Sequence, residues 1–167
     1  MTQAQWEMNS SFGSLYLVAS DKGLKGVFWE RQPTPMAKSL ASSNPTLRIL
    51  SQAARELEEY FNGRRERFGV PLEIDGTPFQ KRVWNQLLQI PYGTTYSYRE
   101  LATLIQNEKA IRAVGTANGK NALCIVVPCH RVIASDGSLG GYSGGLERKA
   151  SLLQLERRAS LQGLSGS

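Results

Sequence analysis

The chain has 167 residues, of which 41% are hydrophobic, and a formal net charge of +6. This composition excludes a disordered chain and predicts one large or two small globular domains. No apolar stretch approaches the ~20 residues of a membrane helix, and the N-terminus lacks the pattern of a signal peptide. A single histidine excludes a His-rich zinc site, and no metal is expected.

Positive charge is concentrated in the second half of the chain. Residues 1–75 contain nine Lys or Arg and nine Asp or Glu, whereas residues 76–167 contain eleven and five. Such an excess predicts a polyanionic partner, because neutralising phosphates releases counterions and drives association. A solvated basic surface explains the charge equally well, so the charge alone leaves both interpretations open.

The first 75 residues predict a small α+β scaffold domain. β-rich runs at 15–19 and 24–29 flank a turn cluster and indicate a hairpin. Asn44-Pro45 is a helix-start signal and Asn62-Gly63 is a stop, so a helix is predicted between them. Residues 68–74 predict one more strand, which Pro71 places at a sheet edge. The helix is expected to bury Leu47, Leu50, Ala54, Leu57 and Phe61.

Residues 76–159 predict a mostly helical domain. Capping boxes at Thr77 and Ser97 each open a helix, and a further helix is predicted at about 108–118. Two short helices joined by a tight turn in a basic domain indicate a helix-turn-helix. The first helix is expected to bury Phe79, Val83, Trp84, Leu87 and Leu88, and the last helix Leu146, Ala150 and Leu153. Residues 160–167 predict a disordered tail.

Small side chains dominate the second helix of the predicted pair. Its small residues include Ala113, Gly115 and Thr116. After Lys109, Arg112 is the only large basic residue of this helix. A reader of base edges in the major groove would need several long polar side chains, and Gly115 costs a helix about 1 kcal/mol relative to Ala. The pattern therefore predicts close contact with the backbone or minor groove of a nucleic acid, while tight packing on a neighbouring helix fits the spacing as well.

The sequence around the only histidine carries the chemistry. An apolar run ends at Pro128, which bends the chain, and Cys129 follows beside His130 and Arg131. Two cationic neighbours favour the reactive thiolate, although most free cysteines are buried small hydrophobes. Cys124 lies five positions earlier on a run expected to be extended. No disulfide is therefore expected, and a reducing, cytoplasmic compartment is predicted.

The string Pro-Cys-His-Arg-Val at 128–132 resembles the signature of the O6-alkylguanine-DNA alkyltransferases. Tyr142-Ser143-Gly144-Gly145 and Gly76-Thr77-Pro78-Phe79-Gln80 extend the resemblance, which runs from about Gly76 to Glu156. It implies an α+β protein: a small N-terminal α/β domain with an antiparallel sheet, and a mostly helical C-terminal domain with a winged helix-turn-helix. The implied function is irreversible, stoichiometric transfer of an alkyl group from O6-alkylguanine, and from O4-alkylthymine, in duplex DNA to a cysteine after nucleotide flipping.

The resemblance assigns catalytic roles to five residues: Cys129, His130, Glu156, Tyr98 and Asn121. Cys129 is the nucleophile, and His130 takes its proton through a water, because adjacent side chains of an extended chain point apart. Glu156 fixes the imidazole and stabilises its charged form. Tyr98 donates to N3 of the departing guanine, with Tyr96 as a rival assignment. Asn121 is the hinge between the recognition helix and the active-site run.

The resemblance also implies a substrate pocket and a DNA-binding surface. The pocket is assigned to Ser143, Tyr142, Gly144, Lys149 and Val132, with Ser143 contacting O6 through its backbone. The DNA-binding residues are assigned as Arg112, Ala113, Gly115, Thr116, Tyr98 and Arg131, with Arg112 entering the base stack as an arginine finger. Lys149 fits a phosphate contact or a solvated helix residue equally well. Cys124 stands where some family members have a pocket proline, which leaves the width of the pocket open.

Because the product is a thioether, each molecule is expected to act once, without a cofactor. The expected partner is lesion-containing double-stranded DNA, bound through its minor groove by a monomer, and cooperative binding stays open. Two other functions compete with this one. A non-catalytic DNA-damage binder would lack the cysteine, and a cysteine hydrolase would need an oxyanion hole that only the glycine pair at 144–145 could mark.

Overall fold

The computed structural model describes residues 3–41 and 43–161. Its chain divides into two compact units, and the boundary falls between Asp75 and Gly76. The first unit is a three-stranded sheet with one long helix, and the second is mostly helical with one short pair of strands. No helix within the described ranges is long and apolar enough to cross a membrane.

The sheet of the N-terminal unit is an antiparallel meander of β1 (Gln3–Ser10), β2 (Gly13–Ser20) and β3 (Leu24–Phe28), in that spatial order. The predicted hairpin is confirmed as β2 and β3. Strand β1 was not predicted from the sequence, although its apolar residues Ala4, Trp6 and Met8 alternate with polar ones as in a half-buried strand. Pairing with β2 along its whole length makes it a strand, with Trp6 opposite Leu17.

Helix α1 (Pro45–Phe61) packs on this sheet and begins as predicted. The Asn44 side chain accepts hydrogen bonds from the backbone N–H groups of Thr46 and Leu47, which satisfies two otherwise free donors. The predicted buried face was wrong in part, because Glu56 lies in its centre and a charged residue reads as solvent-facing. The residues actually buried are Thr46, Ile49, Leu50, Ala53, Glu56, Leu57 and Tyr60.

The strand predicted at 68–74 does not form. Its segment lies beside β3, where Leu24 donates to the Pro71 carbonyl (2.8 Å) and accepts from the Glu73 N–H (2.8 Å), but the pairing ends at one isolated bridge. The Glu56 carboxylate accepts from the Gly69 and Val70 N–H groups at 2.9 and 3.1 Å. Donors that bond to a carboxylate cannot also bond to a neighbouring strand, so the segment stays irregular.

The C-terminal unit consists of α2 (Pro78–Leu87), β4 (Tyr96–Ser97), α3 (Tyr98–Leu104), α4 (Ile111–Gly119), β5 (Val132–Ile133) and α5 (Leu146–Leu161). Single 3-10 turns at Glu108–Ala110 and Cys129–Arg131 precede α4 and β5. Both predicted capping boxes are confirmed, at Thr77 for α2 and Ser97 for α3. The predicted burial of Leu88 is wrong, since it follows α2 and is 39% exposed. Helices α3 and α4 form the helix-turn-helix, and β4 pairs in parallel with β5.

The buried face of α5 also differs from the prediction. Leu146 is 53% exposed, Ala150 is exposed and Leu153 is half-buried. The buried residues are instead Lys149, Leu152, Glu156 and Ala159. Two of these are charged, so a hydrophobic pattern selects the wrong face. The helix continues through Leu161, past the predicted start of the tail, and residues 162–167 lie outside the described residues.

Candidate active site

The segment leading to Cys129 is a series of turns, and the predicted extended run was wrong. Val126 donates to the Cys124 carbonyl at 2.8 Å and Val127 to the Leu123 carbonyl at 2.9 Å. Ile125 has φ 74°, a left-handed conformation that is a genuine outlier for a β-branched residue. This conformation folds the chain back on itself, so residues 124 and 129 approach each other.

Asn121 holds this series of turns together. Its side-chain amide donates to the Val127 carbonyl at 2.8 Å, and its side-chain oxygen accepts from the Leu123 N–H at 2.9 Å. The Asn121 side chain is also hydrogen-bonded to Cys129. Asn121, which lies between α4 and these turns, therefore fixes both the backbone of the turns and the position of the Cys129 thiol.

Cys129 begins a 3-10 turn and is only 4% exposed. A hydrogen bond from Cys124 and burial raise the pKa of Cys129 well above its ordinary value, and the Asn121 hydrogen bond and the Lys149 charge offset this only in part. The sequence predicted the opposite, a thiolate favoured by His130 and Arg131. Both of those side chains bond to the Glu156 carboxylate instead, so neither supplies a positive charge to the sulfur.

His130, Arg131 and Glu156 form a buried hydrogen-bonded network. His130 Nε2 lies 2.6 Å from Glu156 Oε2. Arg131 donates from Nε to Oε1 at 2.8 Å and from Nη2 to Oε2 at 3.0 Å, which is the bidentate geometry that guanidinium and carboxylate prefer. The Gly93 N–H adds a fourth hydrogen bond to Oε1 at 3.1 Å. Glu156 is thereby fixed in position from three sides.

Burial and charge set the protonation states of this network. Burial lowers the pKa of His130, and the nearby Glu156 carboxylate opposes this only in part. Burial alone would raise the pKa of Glu156, but the charges and hydrogen bonds of His130 and Arg131 outweigh it and hold that pKa well below its usual range. At neutral pH the site therefore contains an ionised carboxylate and a neutral imidazole.

The structure contradicts the assignment of Arg131 to DNA binding. The residue is 5% exposed, and its Nη1 donates to the Ile90 carbonyl at 2.8 Å. Its guanidinium also lies over the Tyr92 ring, 5.5 Å from the ring centroid. A side chain held in this way cannot reach a phosphate outside the protein. Adjacency to a basic, DNA-binding region suggested the wrong role, since the partner of Arg131 is 25 residues away in sequence.

Tyr98, at the start of α3, lies against the loop that follows β5. Burial raises the pKa of Tyr98, and the Asn118 side chain and the Gly141 backbone oppose this only in part. A Cβ on Gly140 would lie 3.0 Å from the Tyr98 hydroxyl, and Gly140 has φ 69°. Glycine is therefore needed at 140 both for the backbone conformation and for the close approach of the tyrosine.

The loop between β5 and α5 contains the predicted pocket residues. Ser143 Oγ lies 3.5 Å from Cys124 Sγ, and the neighbouring Tyr142 side chain is half-buried in the same loop. Gly144 lies at the end of this loop, where its carbonyl accepts from Arg148 at 3.2 Å. The structure thus gathers the loop and the Cys129 segment around a pair of sulfur atoms.

Lys149 is fully buried, so neither a phosphate contact nor a solvated position describes it. Its Nζ donates to the Val132 carbonyl at 2.6 Å, the Gly141 carbonyl at 3.1 Å and the Leu139 carbonyl. Burial lowers the pKa of Lys149 to about 8, against the opposing effect of Cys129. Lys149 therefore ties the pocket loop to β5, and Val132, also buried, contributes through its backbone.

Helix α4 presents Arg112, Ala113 and Thr116 to solvent, while Gly115 is half-buried. These exposed residues line a groove of about 610 Å³ between α4 and the start of α2. A Cβ on Gly115 would lie 3.8 Å from Tyr98, an ordinary van der Waals contact. Internal packing thus does not require the glycine, and the alternative of tight helix packing loses its support at this position.

Sequence reasoning missed Asn118 as a contributor to the site, and it placed Cys124 in the pocket without predicting its approach to Cys129. Asn118 donates to the Cys129 carbonyl at 3.4 Å and also bonds to Tyr98. Cys124 interacts with the Cys129 thiol and raises its pKa. Neither contact has a local signal, because each depends on how α4 and the turns pack. Within residues 3–41 and 43–161, no group of three or more His, Cys, Asp or Glu could hold a metal ion.

Two family models match the chain. The DNA binding domain of 6-O-methylguanine DNA methyltransferase matches residues 78–158, and the ribonuclease-like domain of the same family matches residues 7–74. Together they cover both units and include every candidate site residue.

Named relatives agree with the models over most of the chain. The methylated-DNA–protein-cysteine methyltransferase of Methanosarcina barkeri is 43% identical over 149 residues, 89% of this chain and 94% of that protein. The inducible enzyme of the same name from Bacillus subtilis is 44% identical over 89% of this chain and 81% of its own. Mycobacterium tuberculosis OGT, solved in complex with DNA, superposes with a TM-score of 0.82 at 40% identity, covering 93% of this chain and 94% of its own. The chain therefore belongs to the 6-O-methylguanine DNA methyltransferase family, whose named members are methylated-DNA–protein-cysteine methyltransferases.

Proposed function

We propose that this protein repairs DNA by moving an alkyl group from O6-alkylguanine in a duplex to Cys129, once per molecule. The observation that carries the proposal is a buried thiol directly followed in the chain by a buried imidazole–carboxylate pair. A neutral base held by an ionised carboxylate is the arrangement that activates a nucleophile. Membership of the family supplies the substrate class, and the relatives named for this reaction support it.

The first step is removal of the proton from Cys129. A base is required because the thiol, with its raised pKa, is mostly protonated at neutral pH. His130 is neutral and uses Nε2 toward Glu156, and its Nδ1 has no hydrogen-bond partner among the described residues. We assign Nδ1 to accept the proton through a bridging water, with Glu156 stabilising the imidazolium that forms.

The second step is attack of the sulfur on the alkyl carbon. The carbon–O6 bond breaks, its electron pair stays with the guanine, and the products are an S-alkylcysteine and the unmodified base. Tyr98 is proposed to donate a hydrogen bond to N3 as negative charge builds on the ring. Ser143 is proposed to contact O6 through its backbone, on a loop that Lys149 holds in place. Because a thioether has no route back to the thiol here, each molecule acts once.

The base must leave the duplex before its O6 substituent can reach Cys129. Helix α4 suits this task, because its exposed small residues allow close approach to a minor groove and Arg112 projects from among them. We propose that Arg112 fills the space left by the flipped nucleotide. We further propose that the protein acts as a monomer in the cytoplasm, where a reducing environment keeps Cys129 free for the reaction.

Intact-protein mass spectrometry after mixing with an O6-methylguanine duplex tests the reaction. Alkyl transfer predicts a stoichiometric gain of one methyl group on Cys129, and Cys129→Ser should gain none. A non-catalytic damage binder would shift the duplex in a gel without any adduct. A hydrolase would turn over without a lasting adduct. An unmodified Cys129 under conditions where the duplex is bound would end the proposal.

The role of Arg112 is tested by comparing two substrates. Arg112→Ala should slow repair of the duplex by about tenfold or more, since flipping costs a few kcal/mol, and should leave the reaction with a free O6-alkylguanine base unchanged. Lys81→Ala, which removes an exposed positive charge from α2, is the charge-matched control and should reduce duplex repair much less. Equal losses on both substrates would contradict the proposed finger.

A further inference from the structure

A second thiol lies against the proposed nucleophile. Cys124 and Cys129 are each 4% exposed, and their thiols interact, so that each shifts the pKa of the other. Cys124 Sγ also lies 3.5 Å from Ser143 Oγ on the pocket loop. Alkyl transfer uses one sulfur only, so this function does not account for the contact.

The backbone explains how residues five positions apart bring their sulfur atoms together. An extended segment of this length would separate them by roughly 17 Å. Instead Val126 donates back to the Cys124 carbonyl at 2.8 Å, Ile125 adopts φ 74°, and Asn121 fixes the next turn through Val127. The approach of the two thiols is thus built into a turn that several hydrogen bonds hold.

Two thiols in contact have a chemistry that a single thiol lacks. A cysteine oxidised to sulfenic acid either condenses with a neighbouring thiol or is oxidised further to sulfinic acid, which a thiol reductant cannot reverse. The interaction with Cys129 lowers the pKa of Cys124 to about 7, so a thiolate is available beside Cys129 near neutral pH. Attack on the sulfenic sulfur requires such a thiolate.

We propose that Cys124 is a resolving cysteine that captures oxidised Cys129 as an intramolecular disulfide when a hydroperoxide reaches the site. His130 takes the proton of Cys129 as in the proposed alkyl transfer, and the resulting thiolate attacks the peroxide. The O–O bond breaks, and Cys129 sulfenic acid and one water (or alcohol) result. Cys124 then attacks the Cys129 sulfur and displaces the oxygen as water. The two sulfurs together lose two electrons to the peroxide, and an external thiol returns them later.

The consequence is reversible storage of an acceptor that can otherwise be used only once. A disulfide protects Cys129 from sulfinic acid, and reduction restores both thiols. An alkylated Cys129 cannot form the disulfide, so repair and storage exclude each other in any one molecule. This inference rests on the thiol contact and holds whether or not the protein repairs DNA.

Mass spectrometry of the peroxide-treated protein tests the inference. Full-length protein is exposed to hydrogen peroxide, remaining thiols are blocked with N-ethylmaleimide, and the protein is digested without reductant. The expected product is a Cys124–Cys129 crosslink, two hydrogens lighter than the reduced peptide and without the blocking group. Cys129 sulfinic acid beside a blocked Cys124, or a crosslink between two molecules, would overturn the proposal.

The Cys124→Ser variant provides the second measurement. Without a resolving thiol, Cys129 should accumulate sulfinic acid under the same treatment, and dithiothreitol should not restore it. In the wild-type protein dithiothreitol should restore both thiols, and with them nearly all of the original methyl transfer. A variant as recoverable as the wild type would also overturn the proposal. If the protein showed no methyl transfer even before oxidation, the crosslink would still test the resolving role of Cys124. The proposed DNA repair and the proposed disulfide can therefore be refuted independently.

Discussion

Each unit of the molecule contains one fully buried glutamate on a long helix, and the two are bonded to different kinds of partner. Glu56 on α1 is 2% exposed and Glu156 on α5 is not exposed at all. The carboxylate of Glu56 accepts from the backbone of Gly69 and Val70 and from the Gln52 side chain. The carboxylate of Glu156 accepts from Arg131 and contacts His130 at 2.6 Å.

We infer from this difference that the same residue type serves structure in one unit and, in the proposed reaction, chemistry in the other. Backbone N–H groups and amides do not titrate, so Glu56 can only fix the path of the chain after α1. An imidazole gains and loses a proton near neutral pH, so the carboxylate that holds it can stabilise a charge that appears during a reaction. The N-terminal unit is explained by its own packing, whereas the C-terminal unit contains groups that packing does not require.

Replacing each glutamate by glutamine should separate the two roles. We expect Glu156→Gln to slow methyl transfer by about 100-fold or more, because an amide cannot stabilise the imidazolium and general-base contributions are of this size. Glu56→Gln should leave the rate unchanged and lower the free energy of unfolding by about 1–3 kcal/mol. Single-turnover kinetics and denaturation of both variants provide the measurements. Similar rates for the two variants would remove the distinction.

Arg131 should influence both the stability of the site and its pH dependence. Arg131→Met leaves Glu156 without its bidentate partner, and we expect a loss of about 3–5 kcal/mol in the free energy of unfolding. The positive charge of Arg131 lowers the pKa of His130, so without it the imidazole protonates at a higher pH. The acid limb of the rate profile should therefore move to higher pH.

Two further variants control the Arg131 experiment. Arg131→Lys keeps the charge without the bidentate geometry, so its acid limb should stay near that of the wild type. Arg65→Met removes the ion pairs of a partly exposed arginine with Glu59 (2.8 Å) and, at 3.8 Å, with Glu56 in the N-terminal unit, and it should cost at most about 1 kcal/mol. If the acid limb of the rate profile moved equally in Arg131→Met, Arg131→Lys and Arg65→Met, Arg131 would have no specific effect on His130.

Acidification should weaken the C-terminal unit first. A base whose folded pKa is lowered binds more protons when unfolded, so the His130 contribution to stability is lost as the pH falls below about 6.5. Glu156, an acid with a lowered folded pKa, adds a second loss below about pH 4.3. Hydrogen exchange reports each unit separately. Between pH 7.5 and 5.5 amides of the C-terminal unit should lose protection, and those of the N-terminal unit, which has no histidine, should not.

His130→Asn is the matched control for the pH experiment. It removes the loss near pH 6 and leaves the loss that Glu156 causes at lower pH. A parallel decline of both units between pH 7.5 and 5.5 would contradict the assignment to His130.

The smallest expected effects are changes in stability when either of two glycines is replaced by alanine, and the two changes have opposite signs. A Cβ on Gly23 would lie 2.7 Å from the backbone of Leu72, whereas a Cβ on Gly115 meets only ordinary contacts. Gly23→Ala should therefore destabilise the N-terminal unit, and Gly115→Ala should stabilise α4 by up to about 1 kcal/mol. If α4 approaches DNA closely, the stabilised variant should still bind duplex more weakly. If Gly115→Ala binds duplex as tightly as the wild-type protein, α4 does not approach DNA closely at Gly115.

The sequence by itself determined the features that depend on neighbouring residues. The hairpin, the start of α1 at Asn44 and the capping boxes at Thr77 and Ser97 were all correct, because a turn or a cap is decided within about four positions. The Pro-Cys-His-Arg string identified the chemistry for the same reason. Such a signature consists of residues adjacent in the chain, so it can be read without knowing the fold.

Only the tertiary structure decided which charged residues are buried and what they bond to. Glu56, Lys149 and Glu156 lie on the buried faces of α1 and α5, so a hydrophobic pattern alone misplaced both faces. The direction of Arg131 and the approach of Cys124 to Cys129 had no local signal either. A charged or polar group can be buried only when partners satisfy it. Those partners lie up to 63 residues away, as Gly93 does from Glu156, so folding must bring them together first.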